Sequence, residues 1–253
     1  MAPLRSLGNP DISPFDDVFC ATGGNAYNVP YITSYNKAVD FDGSGDTLFS
    51  PNSSDYSFGS GDFTVEGWFK IDQQSSQNGI VGVWAYSVNR RSWLIQTDNS
   101  SNGPLEFFVS PDGGNGSLGS ASGGNVSTGT WYHFAGVRTG NTLKLFLAGS
   151  EVASSSFSGS LYDNTQDDLH IGSVYNQTDF SDAQISNIRV TKGEALYTSA
   201  FTPTTSPLET TSQGATESNV KLLCCNQLTV TGATVSSGTM TTSGDPTLTD
   251  GQF

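Results

Sequence analysis

Residues 62–70 alternate between apolar and polar side chains: Phe63, Val65 and Phe69 fall on one side of an extended chain, and Thr64, Glu66, Trp68 and Lys70 on the other. Successive side chains of a strand point to opposite faces, so this segment covers a core with one face only. Helical periodicity is almost absent from the remainder of the chain, where short β-type runs recur between clusters of Gly, Asn, Asp and Ser. That pattern belongs to an all-β sandwich or barrel. Residues 131–138 lead through Thr139, Gly140 and Asn141 into a run where Leu143, Leu145 and Leu147 alternate with Lys144 and Phe146. A β-hairpin is predicted there, and a second tight turn at 148–150 extends it through Val152 to a three-stranded meander. Further strands are predicted over 79–84, 92–96, 105–109, 168–172 and 183–190, whereas residues 111–130, nearly all Gly, Ser, Asn and Thr, read as a long exposed loop.

These strands occupy residues 37–208. Residues 1–36 carry Pro3, Pro10, Pro14 and Pro30 among scattered apolar groups, the composition of an extended arm that lies across a partner. Residues 209–217 form a polar spacer, 220–225 an apolar run, and the last 25 residues hold too little apolar material to fold without a surface to dock on. The predicted organisation is an N-terminal arm (1–36), a two-sheet antiparallel β-sandwich (37–208), and a C-terminal strand and tail (209–253) docked on the sandwich or on a neighbouring subunit. At 253 residues the chain needs only one main domain of this class.

Ten basic against 24 acidic residues give a net charge of −14, which repels phosphate backbones and argues against nucleic acid as a partner. Charged residues are only 13% of the chain, so the surface is built largely from Ser, Thr, Asn, Gln and Gly, as in extracellular and virion proteins. No run approaches the ~18 apolar residues of a membrane span, and the N-terminus carries no signal-peptide-like run. Membrane insertion and Sec-dependent export are therefore not expected. Cys20, Cys224 and Cys225 are odd in number and lack CxxC spacing; buried free thiols are expected, since a disulfide between neighbours closes a strained ring.

The motifs at 38–48, 61–69, 131–138 and 141–149 occur in family order and resemble successive motifs of the laminin-G-like, concanavalin A-like jellyroll family over roughly residues 37–208. The segment from Ile185 through Arg189 to Tyr197, with 201–208, 220–225 and Gly244 to Pro246, looks like the version found in structural proteins of marine tailed phages. The resemblance implies a concanavalin A-like jellyroll on the surface of a virion assembled in the host cytoplasm. The expected function is that of a non-enzymatic capsid decoration or cement protein. Its expected partners are the major capsid protein or other virion proteins, and it is expected to form a homo-oligomer, with a trimer preferred. The alternative is a tail fibre or spike that recognises a host-surface glycan, although no heptads, collagen triplets or β-helix repeats supply a stalk. A carbohydrate-active enzyme is the third reading.

Catalytic sandwiches of the glycoside hydrolase kind place paired carboxylates on one strand. Glu66 has Thr64 and Trp68 as its same-face neighbours, and reads as a solvated or hydrogen-bonded strand glutamate. His133 and His170 have no partner at ligand spacing, so neither zinc nor a Ser-His-Asp triad is signalled. No cofactor is expected. Related jellyrolls carry structural calcium, and the candidate ligands are Asp40, Asp42, Asp46, Asp179 and Asp182, with Asn187 standing where many relatives have an acidic residue. For a glycan, the candidates are Trp84, Tyr86, Trp93 and Tyr175, aromatic residues near predicted loop edges.

Overall fold

The computed structural model describes residues 35–74, 77–98, 103–174 and 179–253; all of the predicted arm except residues 35 and 36, and the candidate Tyr175, lie outside them. The first strands are β1 (Lys37–Asp42), β2 (Thr47–Ser50), β3 (Phe63–Gln73), β4 (Asn78–Ala85), β5 (Arg90–Thr97) and β6 (Pro104–Val109). They are followed by β7 (Gly119–Asn125), β8 (Trp131–Thr139), β9 (Thr142–Leu147), β10 (Ser150–Ser156), β11 (Leu169–Ile171) and β12 (Asp182–Lys192). The C-terminal segment adds β13 (Val220–Cys224), β14 (Ala233–Val235), β15 (Thr241–Ser243) and β16 (Thr247–Asp250). Two antiparallel sheets form, in the orders β10-β9-β8-β3-β12-β1-β16 and β15-β2-β11-β4-β5-β6-β7, with β13 and β14 continuing the first sheet along the far half of β12. The architecture is an all-β, two-sheet jellyroll-like sandwich.

The alternation in β3 sets the core. Phe63, Val65, Phe69 and Ile71 face the second sheet, where Trp93, Ile95 and Phe107 meet them, and Leu143, Leu145 and Leu147 enter the same cluster from β9. Each such side chain contributes roughly 1.5–3 kcal/mol by leaving water. The opposite face of β3, polar in the sequence, is not open to solvent: Thr64 and Glu66 are fully buried and Trp68 nearly so. A strap of residues 194–216 covers it.

One further departure from the sequence reading has a clear cause. Residues 119–125, expected to be loop, form β7, which pairs with β6 from Val109↔Gly119 to Pro104↔Asn125. Its glycines meet a packing requirement, since a Cβ at Gly123 would lie 2.4 Å from the Val152 carbonyl oxygen where β7 passes β10. The tail, meanwhile, lies on the sandwich: β15 pairs with β2 and β16 with β1, adding an edge strand to each sheet. Lys37 and Asp250 form an ion pair at 2.7 Å across the β1–β16 ladder.

In β12 the register against β3 shifts between Ser186 and Arg189. Asn187 sits at this bulge with φ +54°, a conformation that asparagine tolerates better than most residues. Its Oδ1 accepts from the Leu208 N–H at 2.7 Å and from Asn226 Nδ2 at 3.1 Å. Asn187 therefore ties the strap and the post-β13 turn to the sheet. Cys224 and Cys225 are buried free thiols with their sulfurs 3.6 Å apart, and burial pushes the Cys224 thiol up.

Candidate functional site

Trp68 on β3 and His133 on β8 are directly opposed across the ladder, with Trp131 two positions away opposite Lys70. All three sit on the face turned toward the strap. The Trp68 and His133 rings meet edge to face at 5.2 Å. Beneath the strap, Phe146, Tyr197 and Phe201 cluster with Ala135 and Val137, and the Tyr197 and Phe201 rings stack with centroids 3.6 Å apart. The strap can cross the β9–β10 turn because Gly149 lies there: its φ is +79°, and a Cβ would fall 2.0 Å from the Phe201 carbonyl oxygen.

A buried polar quartet fixes the strap from below. Glu66 Oε1 accepts from Arg189 Nε at 2.9 Å and Nη2 at 2.6 Å. Its Oε2 accepts from the Tyr197 hydroxyl at 2.7 Å and lies 3.2 Å from His133 Nε2. Arg189 Nη1 donates onward to the carbonyls of Glu209 and Ser212, both at 2.8 Å. Burial alone would raise the Glu66 pKa, but Arg189, with His133 and Tyr197, holds it at about 2. The Tyr197 hydroxyl is pushed up by burial and by the same carboxylate. Glu66 is thus neither solvated nor available as an acid; it is a structural anion.

Beside this quartet the strap leaves a cavity of about 440 Å³, within the ~300–1,000 Å³ range of small-molecule clefts. Trp68, Trp131, His133 and Phe253 give it aromatic walls, and Thr204, Thr205 and Gln252 supply polar groups. Phe253 packs edge-on against Trp68 at 5.4 Å and is held by its N–H donating to Asn36 Oδ1 at 2.9 Å. Trp68 is 8% exposed and His133 1%. Trp68 Nε1 and His133 Nδ1 have no hydrogen-bond partner among the described residues.

The candidates read from the sequence lie elsewhere. Trp84 and Tyr86 are neighbours with ring centroids 6.2 Å apart, in a cluster with Leu94, Phe108 and Val174, and Trp84 is buried. Trp93 points between the sheets, where its Nε1 donates to the Tyr56 carbonyl at 3.0 Å. A platform joining Trp84, Tyr86 and Trp93 is therefore not formed, because adjacent positions across the bulged β4–β5 ladder face opposite ways. Trp68 and His133 stand on predicted strands, but their pairing with Thr204, Thr205 and Phe253 depends on contacts across the whole chain.

Among the calcium candidates, Asp42 and Asp46 converge with Asp245, their carboxylate oxygens lying within 4.8 Å of one another. Asp46 already accepts from the Asp245 N–H at 2.8 Å and the Asp42 N–H at 3.2 Å, and Asp42 from the Ser44 N–H at 2.8 Å. These bonds account for the cluster as a clamp between the β1–β2 turn and the tail. Burial raises the Asp46 pKa against the pull of those N–H donors.

Two antiparallel sheets packed face to face, with a cleft on the outer face of one, make a jellyroll-like sandwich. Residues 42–197 match the family profile of the concanavalin A-like lectin/glucanases superfamily, and the chain belongs to that family, in its laminin G-like branch. No curated protein sequence matches it. Among solved structures, a putative carbohydrate binding protein from Bacteroides ovatus superposes with a TM-score of 0.60 at 14% identity, covering 87% of this chain and 61% of that one. The chain thus spans less than two thirds of that relative's length. The native heptameric SAP-like pentraxin from Limulus polyphemus superposes with a TM-score of 0.53 at 13% identity, covering 85% of this chain and 95% of the pentraxin. Identities this low report the shared fold.

Proposed function

We propose that this chain is a non-catalytic binding module that takes a saccharide in the cavity over Trp68 and is displayed on the surface of a tailed-phage virion. The observation that carries the binding reading is the cavity itself, with aromatic walls and a few polar groups, the composition with which proteins grip the apolar faces and hydroxyls of sugars. The description of the Bacteroides ovatus relative as a putative carbohydrate binding protein agrees with it. The absence of catalysis is supported by the lining residues, none of which is Asp or Glu, and by Glu66, whose oxygens are occupied. Hydrolysis of a glycosidic bond needs two carboxyl groups flanking it.

The virion setting is supported by the late motifs at 185–208 and 220–225 and by a surface rich in Ser, Thr, Asn and Gly. In that setting the sandwich is the displayed part of a decoration or cement protein, trimeric and attached to capsid protein through residues 1–36. The cavity favours a second placement, as a receptor-binding module on a tail fibre. A glycan array separates binding from mere display: binding that disappears in Trp68→Ala supports the reading, and a blank array with folded protein refutes it. Deleting residues 1–36 is expected to abolish incorporation into particles, and normal occupancy by the truncated chain would exclude attachment through the arm.

A further inference from the structure

We propose that the cavity is selective for uncharged saccharides and turns away sugars that carry a carboxylate. The proposal rests on the saccharide-binding reading and names the class of sugar that such a site accepts.

The groups that a ligand can reach decide it. Thr205 and Ala148 are exposed at the cavity, and Trp131, Thr204, Gln252 and Phe253 are half-buried there, so a ligand touches these side chains in the structure as it stands. Among the described residues, none that lines the cavity is Asp, Glu, Lys or Arg. The one titratable lining side chain, His133, is 1% exposed, and its Nε2 lies 3.2 Å from the Glu66 carboxylate. The cations around the cavity are already matched. Arg189 is fully buried against Glu66 and donates through Nη1 to the carbonyls of Glu209 and Ser212. Lys70, opposite Trp131 on the ladder, has its ammonium 5.9 Å from the centre of a Trp131 ring and 3.4 Å from Asp72.

The reachable groups suit hydroxyls rather than a fixed charge. Threonine hydroxyls and the Gln252 amide both donate and accept, as sugar hydroxyls do, while Trp131 and Phe253 supply apolar surface for the C–H groups of a pyranose. A carboxylate can only accept. On entering the cavity it would exchange part of its hydration for neutral donors with no cation to balance it, a loss that grows as water is excluded. The net charge of −14 adds repulsion at long range.

The test compares sugars that differ only at C6: methyl β-D-glucopyranoside, its uronate and its uronamide, with the same three forms of methyl β-D-galactopyranoside and methyl α-D-mannopyranoside. The uronamide keeps the shape of the uronate without its charge. Binding is followed through the indole N–H resonances of the four tryptophans in 1H–15N spectra of the full chain. At least one parent sugar and its uronamide are expected to shift the Trp131 resonance, and the matching uronate to bind at least about tenfold more weakly than the uronamide. Uronate binding as tight as that of the uronamide overturns the proposal and leaves the saccharide reading standing. The gap is expected to persist in about 1 M sodium chloride, where the screening length is about 3 Å; a gap that closes there belongs to the charge of the whole molecule and overturns the proposal too. Thr205→Lys, which adds a cation at an exposed lining position, is expected to close the gap, and an unchanged gap in that variant would show that the missing cation is not what excludes the acid. If no sugar moves any indole resonance, both readings fail. If Trp84 or Trp93 moves while Trp131 does not, the cavity is not the sugar site and the proposal falls with it.

Discussion

Glu66, read from its neighbours as a strand glutamate with no catalytic partner, is the buried anion to which Arg189 and Tyr197 both donate. Removing it would leave the Arg189 guanidinium fully buried without a counter-charge, which typically costs about 3–5 kcal/mol. Glu66→Ala is therefore expected to lower the urea midpoint sharply. The double variant Glu66→Leu with Arg189→Met, which removes both charges, is expected to be more stable than either single variant; additive losses would show that the quartet is not one coupled unit. The pH dependence has a definite sign. The folded Glu66 pKa is about 2 against an ordinary 4.5, so its contribution is complete above pH 4.5 and fades as the pH falls toward 2. His170 acts earlier. Burial lowers its pKa from 6.5 to about 4 against the opposing pull of Asp168 and Asp167, so between those values the unfolded chain binds the proton more readily. Stability is expected to fall as the pH drops from 6.5 toward 4, with a slope of at most about 1.4 kcal/mol for each step of one in pH. His170→Gln should flatten that slope in urea titrations; an unchanged slope would assign it to other groups.

At the level of strands, the sequence was legible wherever side chains alternate. β3, β8, β9 and β12 fall close to where period-two patterning predicts them, because one face of each packs on a common core. β7, β15 and β16 escaped because their residues, Gly, Ser and Thr for the most part, carry no such pattern; they are held by backbone pairing, β7 with the preceding β6 and β15 and β16 with strands distant in sequence. The same limit hid the cavity, whose walls join β3 and β8 to residues 203–205 and 252–253. Two variants probe these silent strands. Gly123→Val places a branched side chain against the Val152 carbonyl, already 2.4 Å from an added Cβ, and is expected to cost roughly 1–3 kcal/mol by overpacking. Deleting residues 241–253 strips β15 from β2 and β16 from β1, exposing unpaired N–H and C=O groups on both sheets, a template for strand pairing between copies. Concentration-dependent association by light scattering is the expected result. A truncated chain that stays as dispersed as the intact one would mean that the tail does not protect these edges.

Across the molecule, the net charge is −14, and Asp40, Asp42, Asp72 and Asp182 come together where β1, β3 and β12 run side by side. Asp40 has its pKa raised by burial and then by Asp72, and Asp182 by burial and then by Asp72, Asp40 and Asp42. Like charges in contact across a sheet cost stability that added salt recovers, since the screening length shortens from about 10 Å at 0.1 M to about 3 Å at 1 M. The favourable pairs have less to lose. Lys37–Asp250 and Lys144–Glu151 lie at the surface, where such pairs are worth about 0–1 kcal/mol, while Glu66–Arg189 is shielded from salt by burial. The melting temperature is therefore expected to rise with sodium chloride, and a fall would mean that surface ion pairs outweigh the repulsion. Calcium at matched ionic strength tests how the Asp42, Asp46 and Asp245 clamp works. If the N–H donors of Asp42 and Asp245 satisfy the Asp46 carboxylate, calcium raises the melting temperature no more than sodium does. A calcium-specific rise that Asp46→Asn removes would instead make the clamp a cation site, with the tail strands fastened to the sandwich through the ion.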